Sequence, residues 1–144
     1  MSTVSPNVAN SNVTTLTAAT LTVDPAVHAG GWIVSNLAAT QTITLPAATG
    51  TGHTYNFFIA ITKTGAMVFD AVGTDVLNGG VTLATDAAGE MFNAAVTNTK
   101  LSMNGSTTGG IVGTRLHFTD VITGVWVVSG HVISTGAEAT PFAA

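Results

Sequence analysis

The sequence predicts an all-β fold: an antiparallel β-sandwich or a jelly-roll/β-barrel of about ten short strands, with an extended N-terminal arm. Three observations predict it. The β-branched residues Thr, Val and Ile are abundant, and these suit a pleated, half-buried surface. Polar and apolar residues alternate over short runs, most cleanly where Thr40, Thr42 and Thr44 interleave with Gln41, Ile43 and Leu45. Turn residues punctuate the chain at intervals of roughly 8–12 residues, the spacing of a sandwich or barrel. No stretch sustains the i, i+3, i+4, i+7 pattern of an amphipathic helix.

In order, residues 1–12 read as the arm, 13–134 as one β domain and 135–144 as a tail. Thr15 to Val23 (TLTAATLTV) holds Leu16 and Ala18 on one parity and Leu21 and Val23 on the other, so a bulge or bend is expected near Ala19. Gly31 to Leu37 and Thr40 to Pro46 are the next strands. Pro46, which has no amide hydrogen to donate, ends the second of these or places it at an edge. Ala47 to Gly52 (AATGTG) is a loop by composition. His53 to Thr62 (HTYNFFIAIT) is the strongest core strand, and Ala66 to Ala71 follows a Thr-Gly turn.

Val76 to Leu83 contains Asn78-Gly79 between apolar flanks, which signals a tight hairpin because a type I′ turn needs positive φ at both central residues. Thr85 to Phe92 has room for one short helical turn. Glu90 to Val96, Lys100 to Asn104, Thr114 to Val121 and Gly124 to Ser134 complete the strands, with turns at Asn104-Gly105 and Thr123-Gly124.

Charge is scarce. Seven acidic and three basic residues make up 7% of the chain, against roughly 25% in an ordinary soluble domain. More than half of the residues are Thr, Ala, Val or Gly. A surface built from such residues offers few charged groups to desolvate when a neighbour docks. That composition points to a chain covered by copies of itself or by a partner. It points away from an enzyme, which needs clustered ionisable groups. The three basic residues, Lys63, Lys100 and Arg115, are dispersed, so nucleic-acid binding is not expected. Cysteine is absent, which excludes disulfides and thiolate metal sites. The apolar runs, such as Phe57 to Ile61 and Val125 to Val128, fall far short of the ~20 residues of a spanning helix, and no partner membrane is expected. Residues 1–12 lack the charge and apolar core of a signal peptide, so synthesis in a cytoplasm without export is expected.

The motifs carry no catalytic, cofactor or metal assignment. His28, His53, His117 and His131 show no metal-ligand spacing, and each is expected as a surface or interface residue. His117 and Asp120, three apart, are a weak pair. Gly50-Thr51-Gly52 lacks the third glycine of a dinucleotide fingerprint, since position 55 is Tyr55. Asp70 and Asp75 are too sparse for a calcium loop, and Asp75 is expected to cap a turn. Trp126 is expected in the core. Trp32, after two glycines, is a candidate for core or contact. Phe142 sits in a polar tail and is expected to insert into a neighbouring subunit. Pro6 and Val8 of the arm complete the candidate interface with Trp32 and Phe142.

The stretch His28 to Gly80, centred on TITLPAATGTGHTYNF and AVGTDVLNGG, resembles small virion proteins of tailed bacteriophages, in particular capsid decoration (cement) proteins. The later SMNGSTTGGIVGTRLHFTDVITGVWVVSG and the closing ATPFAA are similar too. The resemblance implies a non-enzymatic, homotrimeric β protein on the outer capsid surface of a virion, with the major capsid protein as partner and no cofactor. A phage tail or head-fibre subunit, with Trp32 and Tyr55 as the candidates for glycan binding, is the alternative. An ice-binding solenoid would stack its Thr-x-Thr pairs at constant intervals, and the sequence intervals are unequal.

Overall fold

The computed structural model describes residues 12–144. The expected arm, with Pro6 and Val8, therefore lies outside the described residues. Half of the described residues are strand and 3% helix, so the fold is all-β. The strands are β1 (Val13–Leu16), β2 (Thr20–Thr22), β3 (Trp32–Ser35), β4 (Gln41–Thr44), β5 (Thr54–Ile59), β6 (Met67–Asp70), β7 (Val76–Ala84), β8 (Gly89–Asn93), β9 (Lys100–Met103), β10 (Arg115–Ile122), β11 (Val125–Ile133) and β12 (Phe142–Ala143). They form a seven-stranded sheet, β1-β3-β5-β10-β11-β7-β8, and a five-stranded sheet, β12-β9-β6-β4-β2.

Both sheets are mixed, which corrects the antiparallel expectation. The first six strands alternate between the sheets. As a result β1, β3 and β5 stack in parallel in one sheet, and β2, β4 and β6 stack in parallel in the other. A parallel pair needs a crossover connection, commonly a helix. Here the strand of the opposite sheet serves as that crossover. The expected bend near Ala19 is the first such passage, from β1 to β2. Stacked positions are unequally spaced, Val13 on Trp32 and Trp32 on Asn56, because the loops differ in length. Unequal spacing hides the winding from any search for a fixed repeat. After β6 the pattern changes: β9 returns antiparallel to β6, β10 lies antiparallel between β5 and β11, and β7 runs parallel to β11.

Inward side chains of both sheets share one core. Tyr55, Phe57 and Ile59 alternate inward along β5, and Ile43, Met67 and Phe69 answer from β4 and β6. The Phe69 ring bridges the sheets, 4.8 Å from Phe57 and 5.0 Å from Phe118 between centroids. Each such ring contributes about 1.5–3 kcal/mol through burial. Trp126 is fully buried beside Tyr55, as the sequence suggested. Pro46 follows β4, which is interior to its sheet between β6 and β2.

Two turn assignments are corrected. Asn78-Gly79 forms no hairpin; it lies within the continuous strand β7. Gly79 has φ of +93°, and a Cβ there would overlap the Val128 carbonyl oxygen of β11. The glycine thus serves a close backbone approach rather than a turn. The hairpin instead lies between β7 and β8, where the Thr85 amide donates to the Ala88 carbonyl at 2.8 Å. That hairpin replaces the helical turn expected at 85–92. Gly79→Val is expected to lower unfolding free energy by at least about 2 kcal/mol in urea denaturation, since overlap and strain add.

A short helix, α1 (Pro25–His28), is not expected from periodicity. It starts on a recognisable signal: the Asp24 side chain accepts from the Ala26 amide at 2.9 Å and Pro25 occupies the first turn. Phe142 corrects a further expectation. Its side chain is 8% exposed and belongs to the chain's own core, because β12 pairs with β9. An aromatic that close to the end of the chain completes its own sheet and is not free to enter a neighbour.

Candidate functional site: the outer faces of the two sheets

The outer face of the five-stranded sheet is short-chained and nearly neutral. Cross-strand register sets Thr20, Thr42, Val68 and Ser102 in one row, and Thr22, Thr44, Asp70 and Lys100 in the next. The four threonines are thus aligned by the parallel stacking of β2 on β4. The single acid and base, Asp70 and Lys100, face one another at the same register position.

The outer face of the seven-stranded sheet differs. One row runs Val13, Trp32, Asn56, His117 and Ser129 across β1, β3, β5, β10 and β11. The adjacent row runs Thr15, Val34, Phe58, Arg115 and His131. Trp32 is 36% exposed and meets the His117 ring edge-on at 5.7 Å. Asn56 donates through Nδ2 to the Gly31 carbonyl at 3.0 Å, which leaves its Oδ1 as acceptor. His117 Nδ1 lies 2.7 Å from that oxygen and so carries the proton. The other ring nitrogen, Nε2, is left with its lone pair. Burial, and next the charge of Arg115, lower the pKa of His117, which keeps the ring neutral at pH 7. Asp120, by contrast, faces the opposite side of β10, so the His117–Asp120 pair is not brought together.

Tyr55 is 1% exposed, which removes it as a sugar-stacking residue and leaves Trp32 of the two candidates. Of the four interface candidates, Trp32 is on the surface, Phe142 is internal, and Pro6 and Val8 lie outside the described residues.

Two charged residues missed by sequence reasoning hold the framework. Asp120 is 3% exposed and accepts from the amides of Thr49 (3.1 Å), Gly50 (2.7 Å) and Thr51 (3.2 Å) and from the Thr51 hydroxyl (2.9 Å). It binds the AATGTG loop to β10. Burial alone raises the Asp120 pKa, but these hydrogen bonds to the carboxylate outweigh it, and the net shift is downward. Asp75 does the same for the start of the loop, accepting from the Ala48 amide at 2.7 Å. Lys63 is 2% exposed. Its Nζ donates to Ser35 Oγ at 2.6 Å, to the Leu37 carbonyl at 2.5 Å and to Gln41 Oε1. Gln41 Nε2 continues the network to the Ala18 carbonyl at 2.8 Å. These contacts tie together the connections between the sheets. Gly105, at φ of +80°, packs against the Lys63 carbonyl where a side chain would collide.

A cavity of about 500 Å³ lies between the β7–β8 hairpin tip and residues 133–136, lined by Thr85, Asp86, Ile111, Ile133 and Ser134. The Ser134 hydroxyl is buried without a partner among the described residues. No helix among the described residues is long and apolar enough to cross a membrane.

The fold and its two faces define a class: a two-sheet β protein with an aromatic-basic face on one side and a threonine face on the other. No family model, curated protein or solved structure matches the chain.

Proposed function

We propose that the chain is a structural virion protein that binds the outer capsid surface and cements adjacent capsomers. In this reading it acts as a homotrimer on the major capsid protein and has no enzymatic role. The finer architecture we propose is a sandwich-like packing of the two sheets about their shared core. The observation that carries the reading is the outer face of the five-stranded sheet. Its short side chains can lie close against another protein with little charge to desolvate and little side-chain entropy to lose. Closed cyclic symmetry would repeat that face identically around an axis.

The face supplies its own test. Thr42→Lys and Thr44→Glu each add a charge to a half-buried outward position without touching the core. Each is expected to weaken co-sedimentation with shells of the major capsid protein at least tenfold while thermal unfolding stays within a few degrees of the parent. Unchanged co-sedimentation of both variants would remove the threonine face as the contact. A tail or head-fibre subunit is the second reading, favoured by the exposed Trp32 on the opposite face.

A further inference from the structure

The geometry points to the outer face of the seven-stranded sheet as a binding site for an acidic glycan, seated on Trp32 and held at its carboxylate by Arg115. Of the chain's three basic side chains, Lys63 is buried and Lys100 lies on the other sheet. Arg115 is therefore the one fixed cation of this face. It makes no ion pair or side-chain hydrogen bond among the described residues, so its planar fork is open to a carboxylate. The row that holds it and the row beside it contain no carboxylate among the described residues. Charge complementarity on a chain of net charge −4 thus selects an anion at this one place.

The neighbouring groups select a carbohydrate rather than a bare anion. Trp32 offers an apolar ring surface together with an indole N–H that has no partner among the described residues. His117 Nε2 is an acceptor whose orientation is fixed through Asn56 and Gly31, so it can take a hydroxyl proton. Phe58 and His131 flank Arg115 in the same row. From Trp32 to Arg115 spans two strand spacings and two residues along the strand, about 12 Å between Cα positions, which is longer than one sugar ring. The ligand is accordingly an oligosaccharide: one ring rests against Trp32 with a hydroxyl on His117, and a second places its carboxylate on Arg115.

This inference holds for a head or a fibre location alike, and it is tested on the isolated chain, so its failure would not touch the capsid-binding proposal. Titrate the protein with a hexamer of a 1,4-linked uronic acid and with its uncharged counterpart, following the two tryptophan indole N–H resonances. Expected is saturable binding of the uronate that shifts the Trp32 resonance and leaves that of buried Trp126 in place. The neutral hexamer should bind at least tenfold more weakly. Arg115→Gln should bring the uronate down to the neutral sugar's level, Trp32→Ala should weaken both hexamers at least tenfold, and Lys100→Gln should change neither. No saturable shift at Trp32, or an equal loss with Lys100→Gln, would overturn the site; the latter would mark general charge attraction. Because the indole shift is read on the unmodified protein, a variant that folds poorly leaves the test intact.

Discussion

Replacing Asp120 with alanine is expected to lower unfolding free energy by about 3 kcal/mol. The carboxylate satisfies three backbone amides and one hydroxyl of a single loop, and it is nearly inaccessible to water. Alanine would leave those donors facing a void. The loop joins β4 to β5, so its loss should loosen the centre of the larger sheet. The sign of the pH dependence follows from the depressed pKa. Above about pH 4, Asp120 is ionised in both folded and unfolded chains and its contribution is complete. As pH falls through the lower folded-state pKa the carboxylate protonates and that stabilisation disappears. Urea unfolding of parent and Asp120→Ala at pH 7 and at successively lower pH should show curves that converge on acidification. A constant difference down to the acid transition would assign the effect to packing alone.

The second large effect is expected at Lys63. Lys63→Ala removes a buried side chain, strands the Leu37 carbonyl and leaves Gln41 Oε1 with the Ser35 hydroxyl alone, at a cost of about 2–4 kcal/mol. The parent protein should also show an unusual alkaline profile. Burial lowers the Lys63 pKa to about 8 from the ordinary 10.5. Between those values the unfolded chain holds a proton that the folded chain has released, so stability rises with pH. Tyr55 acts in the opposite sense at higher pH. Burial, then the charges of Asp120 and Asp24, raise its pKa from 10.0 to about 12. Above pH 10 the unfolded chain ionises Tyr55 first and stability falls. Thermal or urea unfolding from pH 7 to 12 should therefore give a maximum near pH 10. The rise below it should vanish in Lys63→Met, while the fall above it should persist.

How much of this was legible depended on whether the signal was local. Strand alternation is local, so the β5 core strand and the burial of Trp126 could be read directly. Asn78-Gly79 shows where local reading fails. The dipeptide satisfies a hairpin turn, but tertiary packing uses its glycine for a close approach to β11 instead. Parallel pairing was illegible for a related reason. Side-chain period is the same in parallel and antiparallel strands, and the crossover here is another strand rather than a helix. Asp24-Pro25 was a readable helix start, overlooked because four residues give no periodicity. Phe142 was misread because the partner it needs, β9, lies some forty residues earlier in the chain. Lys63 and Asp120 carry no sequence signature: each is one charged residue whose side-chain partners lie far along the chain, between Ser35 and Gln41 for Lys63 and in a loop about seventy residues away for Asp120. The Trp32–Asn56–His117 grouping also depends on strand order. Its members stand at alternate, outward positions of β3, β5 and β10, and only the pairing of those strands assembles them.

The two faces then divide the work proposed for the molecule. The threonine face is the one proposed for extended contact with protein, and the aromatic-basic face of the other sheet is the one proposed for a glycan. The measurement that tests the central proposal most directly is copy number. In virus particles purified from the source of the chain, its amount should be quantified by mass spectrometry against the major shell protein. A capsid cement requires hundreds of copies in a simple ratio to the shell protein. A handful per particle would move the chain to a tail or fibre, and its absence from the particle would contradict the structural role altogether.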